Sequence, residues 1–139
     1  GRFYLQTMVF GDNMIPLEQI SIDAPRESDG WYVALMQAQF PGSFLPSGRD
    51  QVIESAAGTF ELVSATSGRL DYIETIARWR KRFGEPSLRK YLLKARLVPK
   101  YLTSPEFRLA FTSGVSANTV TFERQLLDHF RFVFEKRPA

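Results

Sequence analysis

The chain has 139 residues, no cysteine and one histidine, His129. Those counts exclude a disulfide framework, a thiolate nucleophile, a cysteine-ligated zinc site and a histidine metal cluster. A hydrophobic share of 44% suits one globular domain or part of one, and twelve phenylalanines are enough to fill a core or line an apolar pocket. No apolar run approaches the roughly 18 residues of a membrane span and no signal peptide opens the chain, so a cytoplasmic protein is expected.

Residues 2–9, Arg-Phe-Tyr-Leu-Gln-Thr-Met-Val, read as a strand that is largely apolar on both faces. Such a strand belongs inside a sheet covered on both sides, as in α/β proteins, and its place at Gly1 implies sheet neighbours from a missing N-terminal portion. Residues 10–30 carry Gly11, Pro16, Pro25 and several Asp and Asn, which marks a long connecting segment. Trp31 to Gln39 reads as a short helix. Phe40 to Ser47, Phe-Pro-Gly-Ser-Phe-Leu-Pro-Ser, follows as a rigid crossing, with Pro41 and Pro46 fixing the backbone and Gly42 allowing a turn. Ser47 and Asp50 have capping-box spacing for a helix from Arg49 to Ala57.

Thr59 to Ala65 reads as a second strand, followed by a turn over residues 66–69. Leu70 to Phe83 is the clearest helix, with Ile73, Ile76, Ala77, Arg80 and Phe83 on one face. Residues 87–97 form a second, strongly basic amphipathic helix that Pro99 is expected to stop. Ser104 and Pro105 have the chemistry of a cap and a first helical position, for a helix reaching about Ser113. Residues 120–127 read as helix, and residues 129–136 as a closing strand with Phe130, Phe132 and Phe134 on one face.

Net charge is only +3, but it is uneven: between Arg78 and Lys100 nine basic residues stand against Glu85 alone. A local basic face of this kind attracts phospholipid head groups, an acidic carrier protein or nucleic acid. The aromatic residues are patterned as core and not as a stacking platform, which ranks nucleic acid last.

The order of these pieces resembles the C-terminal half of the cyclopropane-fatty-acyl-phospholipid synthase and mycolic acid cyclopropane synthase family. The resemblance rests on Gly-Arg-Phe-Tyr-Leu-Gln-Thr-Met at the start, the Phe-Pro-Gly-Ser-Phe-Leu-Pro-Ser block, Asp-Tyr-Ile-Glu-Thr-Ile-Ala-Arg-Trp ending at Trp79, and the closing Phe-Val-Phe-Glu-Lys. It covers residues 1–83 well, is weak over 84–124, and returns in the last strand. It implies an α/β fold, the C-terminal part of a class I (Rossmann-like) methyltransferase sheet with inserted substrate-side helices. It also implies S-adenosylmethionine as methyl donor in the full-length parent and an unsaturated acyl lipid or acyl carrier as partner.

The implied chemistry is methyl delivery to a double bond, giving a carbocation that loses a proton to a bound bicarbonate. An anion beside a developing cation in a dry apolar pocket lowers its energy. Carried over by position, Tyr72, Gln6 and Met8 fall at the bicarbonate and cation site. Phe40, Leu45, Pro46 and Trp79 fall on the substrate side. Gln6 stands where many members have histidine, Met8 where isoleucine is usual, and Ser43 where the block has a second glycine. The glycine-rich cofactor loop is absent, so these 139 residues alone are not expected to bind S-adenosylmethionine or turn over substrate. Other readings keep the fold but change the role: a methyltransferase for an isoprenoid or polyketide, or a non-catalytic lipid-binding or interaction module. Peripheral contact with an anionic membrane through Arg78–Lys100, and self-association into a homo-oligomer, complete the expected partners.

Overall fold

The structure is a computed structural model that describes residues 1–40 and 42–138. Its elements are β1 (Arg2–Phe10), a 3-10 turn at Leu17–Gln19, α1 (Asp29–Gln39), α2 (Arg49–Ala56), β2 (Phe60–Ser67), α3 (Arg69–Gly84), α4 (Leu88–Thr103), α5 (Pro105–Glu123) and β3 (Leu127–Lys136). The sheet order is β1-β3-β2, and β3 is antiparallel to both neighbours, so β1 and β2 run parallel to each other. The last strand of the chain is therefore the central one.

β1 keeps one edge open among the described residues, on the side where further sheet neighbours were expected. It is bonded only to β3 and forms an edge of the described sheet, with Phe3 and Tyr4 about half exposed. Its far end is better covered: Val9, paired with Asp128, is fully buried. In β2 the consecutive apolar residues Leu62 and Val63 are reconciled by a bulge between Leu62 and Ser64. The extra residue lets Leu62 and Ala65, three apart, lie opposite Phe134 and Phe132 on one face. That face carries an aromatic ladder in which the rings of Phe132 and Phe134 are 5.8 Å apart and those of Phe3 and Phe134 are 6.4 Å apart.

The other face holds the main core. Trp31, Leu35 and Met36 of α1, Ile76 of α3, and Ala117 and Phe122 of α5 gather over Leu127. Arg124, at the end of α5, pairs with Asp29 at 2.6 Å and lies over the Tyr32 ring, tying α5 to the start of α1. Of the expected inward face of α3, only Ile76 is fully buried and Ile73 half-buried; Ala77, Arg80 and Phe83 are exposed. The C-terminal half of α3 projects past the core that would cover them.

Three helix boundaries shift for physical reasons. α4 runs through Pro99 to Thr103, because a proline inside a helix removes one hydrogen bond without forbidding the turns beyond it. α5 is one helix through residues 105–123, where two segments were expected. The capping box at Ser47 does not form: Gly48 holds the N-cap position of α2, and the Gln51 side chain accepts from the Ser47 N–H at 2.6 Å. By contrast Ser104 caps α5 as expected, accepting from the Phe107 N–H at 3.1 Å.

In the Phe40 to Ser47 crossing, Gly42 has φ of 78°, the left-handed region that its lack of a Cβ permits. The Ser43 hydroxyl donates to the Phe40 carbonyl at 2.6 Å, and the Phe10 N–H donates to the Pro46 carbonyl at 3.0 Å. The crossing is thus pinned to the end of β1. The backbone role expected of Pro41 lies outside the described residues.

Candidate functional site

Strand alternation puts Gln6 and Met8 on one face of β1, opposite Arg131 and His129 of β3. A tight turn then brings α3 over that face. The Gly68 N–H donates to the His129 carbonyl at 2.7 Å, and the Tyr72 N–H donates to the Gly68 carbonyl at 2.9 Å. Gly68 permits this approach: a Cβ there would lie 3.2 Å from His129 Nδ1 and 3.3 Å from the Arg131 guanidinium. One helical turn later the Tyr72 ring stacks on the His129 ring, with centroids 5.2 Å apart and planes 23° apart.

Gln6, Tyr72 and His129 therefore converge from three elements. Gln6 Nε2 is 3.0 Å from His129 Nε2, and Tyr72 also packs on Phe122 at 4.6 Å and edge-on to Trp79 at 6.4 Å. Around them runs a polar frame. Arg131 pairs with Asp71 of α3 at 2.9 Å. Asp128 accepts from the His129 N–H at 2.5 Å and from the Ser67 hydroxyl at 2.8 Å. Burial pushes the His129 imidazole below its ordinary pKa and the Arg131 charge adds to that, while Asp128 opposes it. The favoured ring is neutral, with one N–H and one lone pair. Its Nδ1 is buried and has no hydrogen-bond partner among the described residues.

The expected substrate-side residues divide. Met8, Phe40 and Leu45 line one apolar cavity of about 400 Å³, together with Phe10, Met36 and Phe44. Pro46 lines a second cavity of about 480 Å³ on the aromatic-ladder face, beside Leu5, Val52 and Phe134. Trp79 sits in a third, between α3 and α5, with Phe83 and Phe111, and reaches the others only through its edge contact with Tyr72. Met8 is the link between the polar cluster and the first cavity, because it pairs with His129 in the sheet and also lines the cavity wall.

His129 is the residue that sequence reasoning passed over. A lone histidine makes no metal cluster, and its contacts come from Gln6, 123 residues away, and from a helix entering from another strand. The available signal was its alignment with Gln6 and Met8 on two expected strands, which needed the register to become useful.

No family model and no curated protein sequence matches the chain. Solved structures do match it in fold. The cyclopropane synthase MmaA2 from Mycobacterium tuberculosis aligns with a TM-score of 0.65 at 16% identity, over 99% of this chain and 44% of that one. The mycolic acid cyclopropane synthase CmaA1 complexed with SAH and CTAB gives 0.65 at 18% identity, again over 99% and 44%. The apo form of CmaA1 gives 0.55 at 21% identity, over 99% and 47%. The chain thus has a mixed α/β fold shared with part of the mycolic acid cyclopropane synthases, and it spans less than half the length of the structures it matches.

Proposed function

We infer that this chain forms the acyl-side portion of an S-adenosylmethionine-dependent methyltransferase that alkylates the double bond of an unsaturated fatty acyl lipid. The observation that carries the reading is the convergence of Gln6, Tyr72 and His129 beside a cavity walled by Met8, Phe40 and Leu45. An apolar wall suits an acyl chain, and the adjoining polar cluster suits a charge that forms on it. The shared fold adds support, since one structure of that fold holds SAH and CTAB.

The roles follow from each group's chemistry. The Tyr72 ring offers a π-face to a cation, and its hydroxyl can donate to an anion. The Gln6 amide has two N–H donors, of which His129 can engage one. Gln6 and Tyr72 together fit a small oxyanion such as bicarbonate, which would supply a proton acceptor beside the carbocation. Neutral His129 orients Gln6 and backs the Tyr72 ring. No Gly-x-Gly-x-x-Gly run is present, and no residue here is assigned to S-adenosylmethionine.

The test uses the product of the complete coding sequence, with labelled S-adenosylmethionine and vesicles of unsaturated phospholipid. Label should enter the acyl chains, and Tyr72→Phe should lower turnover by about tenfold to a thousandfold. Absence of transfer from the intact protein would end the methyltransferase reading, and an unchanged rate in the variant would remove Tyr72 from the chemistry. The open apolar cavity also favours a second reading, a lipid-binding module without catalysis. That reading expects displacement of a fluorescent unsaturated fatty acid by oleate and no methyl transfer.

A further inference from the structure

α4 has two apolar stripes and uses one. Leu97 and Tyr101 are half-buried and face Phe107 and Phe111 of α5, with the Tyr101 and Phe111 rings 6.0 Å apart edge to face. The other stripe, formed by Leu88, Tyr91, Leu92, Ala95 and Leu102 at helical spacing, is exposed along its whole length. Leu88 is 76% and Leu102 67% exposed, values that a stripe packed against the body would not show.

The charges bordering this stripe choose its partner. α4 contains no acidic residue and five basic ones: Arg89, Lys90, Lys94, Arg96 and Lys100. Three are engaged within the chain, Lys90 on the Arg82 and Glu85 carbonyls, Lys94 over Phe83 and Lys100 over Phe107. Arg89 and Arg96 are exposed on the flank of the stripe and make no ion pair among the described residues. The end of α3 adds Arg80, Lys81 and Arg82, all exposed.

We propose that α4 is an interfacial helix that lies on an anionic lipid surface, its Leu88–Leu102 stripe among the acyl chains and its flanking arginines on the lipid phosphates. A helix with one continuous apolar stripe, basic borders and no acid has the form that binds in the plane of a membrane. A second copy of the chain fits worse, because an isologous contact would set the same basic borders against each other. The helix cannot be a span, since no helix among the described residues is long and apolar enough to cross a membrane. The proposal does not depend on the methyltransferase reading.

The experiment is co-sedimentation of the chain with vesicles of pure phosphatidylcholine and of phosphatidylcholine containing phosphatidylglycerol. Binding should need the anionic lipid and weaken as salt rises. Leu92→Asp and the pair Arg89→Glu with Arg96→Glu should each reduce binding by about tenfold or more. All three positions are exposed, and circular dichroism checks that the variants stay folded. Ile22→Asp, at an exposed apolar residue away from α4, should bind as the parent does. In Tyr91→Trp the new indole should shift its emission to the blue on anionic vesicles. Failure to bind anionic vesicles, equal binding to neutral ones, or indifference to Leu92→Asp would each overturn the proposal. So would self-association abolished by Leu92→Asp without vesicle binding, which would assign the stripe to a second copy.

Discussion

His129 holds a neutral imidazole against two neighbours that respond to its charge. Protonation would turn its Nε2 into an obligate donor facing Gln6, and would put a cation behind the Tyr72 ring. Because burial holds the folded-state pKa below the ordinary histidine value of 6.5, the unfolded chain binds more protons just below that pH. Stability should therefore be level above about pH 6.5, fall as pH drops past it, and reach its full loss below the folded-state pKa. With one histidine in the chain, a single imidazole resonance reports the titration, and its midpoint should fall below 6.5. A midpoint at or above that value would mean the ring is better solvated than its burial indicates. His129→Gln should remove the histidine component from the pH dependence of the urea midpoint. Tyr72, Gln6 and Met8 were singled out at this scale by the family resemblance alone, whereas the contacts of His129 became visible only when β3 paired with β1 and α3 closed over both.

The helices were legible where one chain segment decides its own structure. Ser104 and Pro105 specify the start of α5 by local chemistry, and that start is found. Ser104→Ala would leave the Phe107 N–H without its cap and should cost about 1 kcal/mol, read from the urea midpoint. Where neighbours decide, the sequence misleads. The small residues near Gly114 and Ala117 look like a break, yet both are buried where α5 crosses the other helices. A side chain at Gly114 would press on Gln39 of α1, so the small residue serves close approach and not termination. Pro99 is the converse. It has no N–H for the Ala95 carbonyl, and the helix persists around it with the Thr103 hydroxyl bonded to the Pro99 carbonyl at 2.9 Å. Pro99→Ala should restore the missing bond and stabilise α4 locally by about 1–3 kcal/mol, seen as greater helicity and slower amide exchange there.

Across the whole molecule, stability should be graded by how many sides of each element are held. β3 is bonded on both edges and supplies buried Leu127, Phe132 and Phe134, so its amides should be released only by global unfolding. β1 is bonded on one side only among the described residues, with its Arg2–Leu5 end more exposed than its Val9 end, so protection should rise along the strand towards Val9. α4 touches the body mainly through α5, interrupts its own hydrogen-bond ladder at Pro99, and leaves its larger apolar stripe in water. It should open well before the sheet, and hydrogen exchange followed by mass spectrometry should find its amides the least protected of the helical ones. Anionic vesicles would then slow exchange in α4 alone, since the lipid covers the stripe that the protein does not, while β3 keeps its rate. Equal protection of α4 and β3 without lipid would contradict this ordering, because it would require a packing partner for Leu88 and Leu102 that their exposure denies.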